Sequence, residues 1–212
     1  MLFRSEPRVA LMYSKMVVER GYTLSGQPGK IRVLVFRNYA KMSRFNDALA
    51  VGIATATTPD INIVRLSNQV KRGIGINIEQ AFSNDAGLFA RALWADGKTE
   101  TYAFTEIDQS ISGGVVVRGT RWGRGKDSLG VAYASNGLST EHRNYLAAGG
   151  IGYFIGDGKL NYRRESIVET YYSLSMGKYA WLSLGWQHIK HPAYNADRGA
   201  VTVTTLRLHT EF

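Results

Sequence analysis

Few side chains of this sequence have the type and spacing that bond-breaking or metal chemistry requires. The 212 residues include no cysteine, which excludes a disulfide scaffold, a cysteine nucleophile and a cysteine-ligated metal site. Ser173 and Ser175 lack the Gly-x-Ser-x-Gly context of a hydrolase nucleophile. The four histidines lack a carboxylate partner at metal-ligand spacing: His142, His188, His191 and His209. We therefore predict no catalytic residues, no metal site and no cofactor.

The chain is basic, with a formal charge of +9 from 26 Lys and Arg residues against 17 Asp and Glu residues. Such a balance can indicate binding to nucleic acid or to an anionic membrane surface. The basic residues are scattered, however, and the densest clusters are short, at residues 118–126 and 163–164. We predict that no nucleic acid binds and that the charges line a solvated face or a lumen.

Apolar residues recur with a period of two, which is typical of β-strands. Near the C-terminus, Leu206 and Leu208 alternate with Arg207 and His209. The pattern predicts about nine or ten strands, each close to the length that a tilted membrane strand needs. The other segments read as strands are residues 30–39, 73–80, 88–95, 99–107, 114–122, 128–134, 165–176 and 179–189.

Short connections and two helices complete the predicted organisation. Asp96-Gly97 and Gly177-Lys178 are typical of hairpin turns, and residues 123–127 read as a loop. A helix is predicted over 140–148, with Ser139 or Thr140 as its N-cap, and a weaker one over 41–50. The sequence shows no transmembrane helix and no signal peptide, because its apolar runs are too short.

Two all-β architectures fit this alternation, a membrane barrel and a soluble sandwich. Three features favour an antiparallel transmembrane β-barrel. One strand face is charged and aromatic over several consecutive strands, and aromatic residues such as Trp94 and Trp122 lie near strand ends. The chain also ends on Phe212, directly after an alternating strand. A soluble β-sandwich that binds carbohydrate is the alternative, and detergent dependence would separate the two.

Several ordered stretches resemble the carbohydrate-selective porin family (OprB type) of Gram-negative outer membranes. They include the loop PAYNADRG and the terminal RLHTEF. The resemblance implies a sixteen-stranded barrel, of which this chain matches the C-terminal half. Residues 1–212 are then a single porin-type domain whose first strands and signal peptide are missing. The matching stretches are residues 21–36, 87–114, 122–162, 165–172 and 191–212.

The resemblance implies passive, selective diffusion of carbohydrates through a polar lumen, with no enzymatic step. A sugar has ring hydroxyls for charged and amide side chains, and C–H faces for aromatic rings. For each candidate the alternative is a wall residue that pairs with a neighbouring strand and touches no sugar. The polar faces give as candidates Arg91, Glu106, Arg118, Glu169, Tyr171 and Arg207, followed by Tyr102, Trp181 and Gln187.

The same resemblance implies the location and the partners. We expect the outer membrane of a Gram-negative bacterium, with mono- or oligosaccharides and outer-membrane lipid as partners. Phe212 would be read by the barrel-assembly machinery, and the oligomeric state stays open. The segment 140–148 could fold inward and narrow the pore. A further alternative is a non-functional, truncated porin fragment.

Overall fold

The chain folds into one antiparallel β-sheet of strands that follow each other in sequence order. The computed structural model describes residues 12–101, 106–153 and 155–211. Within these ranges there are nine strands, and each pairs with the next along the chain. The strands are β1 Met12–Leu24, β2 Gln27–Lys41, β3 Asn68–Ala81, β4 Ala86–Ala95, β5 Gln109–Gly119, β6 Arg124–Gly137, β7 Glu165–Ser175, β8 Ala180–Lys190 and β9 Val201–Thr210.

This architecture confirms the predicted all-β antiparallel fold. All nine described strands belong to a single sheet, so they provide no second layer for the sandwich alternative. Strands β1 and β9 are the two edges of this sheet, which is not closed. Two helices lie in the connections, α1 Phe45–Thr55 and α2 Thr140–Ala147. No helix within the described ranges is long and apolar enough to cross a bilayer.

The strand register assigns every side chain to one of two faces, because paired residues point to the same side of a sheet. One register row across β1 to β5 is polar or charged: Glu19, Arg32, Asn77, Arg91 and Ser112. The next row, one residue along each strand, is apolar: Val18, Val33, Ile76, Ala92 and Ile111. We call these sides the polar face and the apolar face.

The apolar face continues across the rest of the sheet. Leu184 pairs with Leu206, and Leu182 pairs with Leu208. Leu184 and Leu206 are exposed in the isolated chain, as are Ile76 and Val131 on the central strands. A soluble protein rarely leaves an apolar surface of this extent uncovered, so this face requires a hydrocarbon environment or another apolar partner.

Long and short connections alternate along the chain. The short ones, residues 25–26, 82–85, 120–123 and 176–179, lie at one end of the strands, which we call the turn end. The long ones, residues 42–67, 96–108, 138–164 and 191–200, lie at the other, the loop end. Their side chains pack into one buried cluster, which we call the loop layer: Phe45, Ala48, Ile61, Leu138, Tyr145, Leu146, Ile155 and Tyr194.

The loop layer lies against the polar face of the sheet. Ala40, on the polar face of β2, is completely buried. Lys71, opposite Asn38 on the same face, donates a hydrogen bond to Thr101 at 2.7 Å and lies 3.8 Å from the Asp108 carboxylate. The loop connections therefore turn toward the polar side at the loop end.

Three of the sequence-based assignments are wrong. The described residues of the segment 99–107 do not form the partner strand of β4. Instead, β4 pairs with Gln109–Gly119 across the long connection 96–108. The strand β1 was missed, because its apolar residues 16–18, Met-Val-Val, are consecutive and do not alternate with polar residues. The loop predicted over 123–127 belongs mostly to β6, and the turn precedes it at residues 120–123.

The two faces predict opposite effects of one charge at neighbouring positions in the middle of β6. Val131 is 50% exposed on the apolar face, and Ala132 lies opposite Glu169 on the polar face. We expect Val131→Lys to lower the free energy of unfolding in lipid vesicles by about 2–4 kcal/mol. We expect a much smaller loss for Ala132→Lys, because its ammonium meets a carboxylate. Urea titration followed by tryptophan fluorescence measures both, and equal losses would contradict the face assignment.

Candidate functional site

The polar face carries a ladder of charged side chains across β1, β2 and β3. Glu19 accepts hydrogen bonds from Lys30 at 3.1 Å and from Arg32 at 2.5 Å. Arg32 also reaches Glu79 at 2.6 Å. These groups are all solvent-accessible, so solvent screening leaves each ion pair with little effect on stability. Their main effect is to hold donors and acceptors in fixed directions along the wall.

Arg91 continues this ladder on β4, where its guanidinium is exposed. It lies opposite Asn77 on one side and Ser112 on the other. Its guanidinium carbon lies 5.0 Å from the centre of the Phe89 ring. No ion pair joins it to a carboxylate within the described part of the chain. Arg91 therefore offers planar N–H donors beside an aromatic surface, a combination suited to a sugar ring.

A second polar group lies on β7 and β8. Gln187 donates a hydrogen bond to Glu169 at 2.8 Å across the strand pair. Tyr171, two residues along on the same face, lies opposite Gly130 and Gly185. Its ring covers Gly130 so closely that a Cβ atom there would approach Tyr171 Cε1 to 2.2 Å. The Tyr171 ring can therefore occupy this position only because Gly130 has no side chain.

Two further predicted residues lie exposed on the polar face. Arg118 is near the turn end of β5, opposite Ser128, and its backbone N–H bonds the carbonyl of Asp85 at 2.7 Å. Arg207 is on β9, opposite Ser183. The structure thus places five of the six leading candidates on one face, together with Trp181 and Gln187. Tyr102 lies outside the described residues.

Glu106 is the exception, and its predicted strand position is wrong. It lies in the connection 96–108 and is only 5% exposed. Its carboxylate accepts a hydrogen bond from the backbone N–H of Tyr153 and lies 3.7 Å from His142 Nε2. It crowds Gly152, where a Cβ atom would meet its carboxylate oxygen at 2.3 Å. Glu106 is therefore buried among the long connections at the loop end and not on the sheet.

Three carboxylates of the connection 96–108 act together as acceptors within the loops. Glu100 receives two bonds from Arg65, at 2.6 and 2.5 Å, and one from the backbone N–H of Ser43 at 2.7 Å. Glu106 and Asp108 bind the segment that follows β6. Buried carboxylates are stable only when paired and hydrogen-bonded in this way. This connection therefore ties the other long loops to the sheet.

Asp108 and His142 form the contact that sequence reasoning missed. His142 Nδ1 lies 3.0 Å from Asp108 Oδ2, and the imidazole stacks on Phe45 with ring centres 4.2 Å apart. Asp108 also accepts the backbone N–H of Ser139 at 2.9 Å. The two partners are 34 residues apart, so no local spacing identifies them. Only the predicted N-cap Ser139, which accepts the N–H of His142 at 3.1 Å, pointed to this place.

The Asp108 carboxyl has a lowered pKa. Burial on its own would raise this pKa, but the hydrogen bond with His142, the charges of His142 and Lys71, and the Ser139 N–H together outweigh it. A folded-state pKa below the unfolded value means that ionised Asp108 stabilises the fold above the unfolded pKa of about 3.9. That stabilisation is lost as the pH falls through the lower, folded-state value.

This linkage predicts acid-sensitive loops. We expect Asp108→Asn to destabilise the loop layer at neutral pH by about 1–3 kcal/mol, because the charged acceptor is removed. The variant should also lose the decline in loop protection that the unmodified chain shows below about pH 4. Hydrogen exchange of the α2 amides, corrected for intrinsic rates, measures both effects. An unchanged acid profile in Asp108→Asn would contradict the assignment.

The contact between Tyr171 and Gly130 predicts a steric effect. Gly130→Ala should cost about 1–3 kcal/mol in lipid, because the ring must leave its position. The matched control is Gly75→Ala on β3, where the nearest atom to a Cβ would be 3.6 Å away, an ordinary contact. Urea unfolding of both variants and of Gly130→Ala/Tyr171→Ala measures this, and a cost that persists without the tyrosine ring would contradict it.

The fold described above is also found in a protein of known structure. Among solved structures, the high-pH structure of OprB from Pseudomonas putida matches with a TM-score of 0.77 and 19% sequence identity. The match covers 95% of this chain and 49% of that chain, so this chain spans about half the length of that protein. At this identity the likeness concerns the fold.

Sequence similarity identifies the family. No curated protein matches the chain significantly. The family model described as carbohydrate-selective porin, OprB family, matches residues 10–212. The resemblance stated from the sequence is thereby confirmed, and the chain belongs to the OprB family of carbohydrate-selective porins.

Proposed function

We propose that this chain forms part of the wall of an outer-membrane pore through which carbohydrates diffuse passively. Membership of a carbohydrate-selective porin family supports the role in sugar passage. Porins are channels and need no bond-breaking step, which agrees with a role other than catalysis. Selectivity then depends on the radius of the pore and on the groups that line it.

The observation that carries this proposal is the division of one sheet into a charged face and an apolar face. The row Glu19, Arg32, Asn77, Arg91 and Ser112 crosses five strands without an apolar member. The apolar row beside it suits the hydrocarbon region of a bilayer. An aqueous lumen on one side and lipid on the other require this arrangement.

Sugars would meet groups of two kinds along this wall. Arg91, Arg118 and Arg207 present guanidinium donors that can hold adjacent ring hydroxyls. Glu169 presents acceptor oxygens, and Tyr171 presents a ring face two residues away. The ion pairs around Arg32 would fill the role of wall contacts, because those side chains already bind one another. The outer-membrane lipid would contact the apolar face.

The proposed role of Phe212 in barrel assembly concerns a residue outside the described ranges. It follows from the family resemblance and from the alternating strand β9, in which Leu206 and Leu208 face opposite to Arg207. Deleting Phe212 and measuring the amount of protein in the outer membrane would test it.

Sugar flux tests the pore directly. We expect Arg91→Gln/Glu169→Gln to change the swelling rate of proteoliposomes in a monosaccharide by about two- to tenfold, the worth of one or two neutral hydrogen bonds. Arg121→Gln, in the exposed turn 120–122, removes one charge from the turn end and should leave the rate unchanged. The protein for this measurement is isolated from the outer membrane of the cell that makes it.

Two outcomes would overturn the proposal. One is swelling no faster than a lipid blank, which the truncated-fragment alternative predicts. The other is recovery of the protein in the soluble fraction without detergent, which the sandwich alternative predicts. Equal flux in the double variant and the unmodified protein would leave the pore in place but remove Arg91 and Glu169 from the sugar path.

A further inference from the structure

The apolar face ends toward the loop end in a group of cations. Arg37 and Arg72 lie directly opposite each other on β2 and β3, and Lys41 lies opposite Asn68 four residues further along β2. Two more cations lie beside them in the loops. We call this group the basic rim; it consists of Arg37, Lys41, Arg44, Arg72 and Lys98, all of which are exposed.

The register places the strand residues of this rim, Arg37, Lys41 and Arg72, on the side away from the polar ladder. Arg37 and Arg72 follow Val35 and Ile74 in the same alternation, and those two apolar side chains are 43% and 44% exposed. Trp94 on β4 lies opposite Ile74 on the same face. The basic rim is therefore continuous with the surface that faces hydrocarbon in the proposed pore.

The pair of arginines is unfavourable by itself. Like charges directly opposite each other on neighbouring strands destabilise a sheet. No carboxylate forms an ion pair with any cation of the rim within the described ranges. This differs from the polar face, where Arg32 is held between Glu19 and Glu79. Among the described residues, the rim thus has N–H donors and positive charge but no ion pair with a carboxylate.

A cleft accompanies this charge. It has a volume of about 380 Å³ where β3 extends beyond the end of β4, and Arg44, Arg72 and Lys98 contribute to its lining. Asp96 also lines it, but its carboxylate accepts the backbone N–H of Arg72 at 3.1 Å. Three cations against one carboxylate leave the cleft positive.

We propose that the basic rim binds the phosphate-bearing headgroup of a lipid in the surrounding leaflet. Two guanidinium groups can hold phosphate oxygens with paired N–H donors, which relieves their mutual repulsion. Lipid is favoured over free phosphate because the site adjoins Ile74 and Trp94, on which acyl chains can pack. Tyr39, whose ring lies 5.6 Å from the Arg37 guanidinium, belongs to the interfacial aromatics that flank a membrane band.

This inference rests on the proposed function only in requiring that the apolar face meets lipid. It adds a binding site on the outside of the wall, whereas the pore concerns the polar face. The two are therefore testable with separate readouts on the same protein.

The test measures lipid binding by the protein folded in neutral detergent micelles. The probes are phosphatidic acid, diacylglycerol with the same acyl chains, and inorganic phosphate. We expect saturable binding of phosphatidic acid only. Each basic side chain near a membrane surface raises the lipid binding constant about fivefold. Removing two of them in Arg37→Gln/Arg72→Gln should therefore weaken the binding of phosphatidic acid about tenfold or more. The matched control, Arg91→Gln/Arg118→Gln, removes two charges from the polar face and should leave lipid affinity unchanged.

Several results would overturn the proposal. These are no saturable binding by the unmodified protein, equal affinity for diacylglycerol, equal affinity for inorganic phosphate, or the same loss in both double variants. Circular dichroism establishes that each variant retains its strands. Liposome swelling is measured in parallel. A loss of lipid binding with normal sugar flux separates the rim from the pore, and absent flux with intact lipid binding would reject the pore alone.

Discussion

Every other feature of this protein depends on the backbone hydrogen bonds between neighbouring strands. In hydrocarbon an unpaired N–H or C=O costs several kcal/mol, so a spanning sheet must pair each strand along its length. Eight antiparallel pairings in this chain fix the register from β1 to β9. Since side chains alternate, a slip of one residue in any pairing would move charges such as Arg91 onto the apolar face. The register therefore separates the polar wall from the apolar surface.

The same register explains four of the 23 glycines. Aromatic rings lie across the sheet over glycines on the adjacent strand, where any Cβ would collide with the ring. Close packing of this kind gives large rings room to lie flat against the sheet. The opposed pairs are Tyr22 with Gly29, Phe36 with Gly73, Phe89 with Gly114, and Tyr171 with Gly130.

The alternation of apolar and polar residues made the C-terminal strands and their faces predictable from the sequence. The N-cap residue at position 139 or 140 made α2 predictable. The segment 99–107 alternates equally well, yet its described residues, 99–101 and 106–107, belong to none of the strands. Its Glu100 is held by Arg65 and Ser43, and its Glu106 by Tyr153, all brought near by the fold. A period of two tells which residues share a side, but it cannot tell a strand from a connection whose carboxylates find partners in other loops.

The excess of positive charge has more than one physical role, and residue type alone does not separate them. Arg32 and Arg37 lie on the same strand five positions apart. Because five is odd, Arg32 lies between two carboxylates on the polar face, whereas Arg37 lies opposite Arg72 on the apolar face. A guanidinium with carboxylate partners strengthens a wall. A guanidinium facing another guanidinium on the apolar face has no ion pair with a carboxylate among the described residues. This parity is the physical basis for proposing Arg32 as a wall residue and Arg37 as a lipid-binding one.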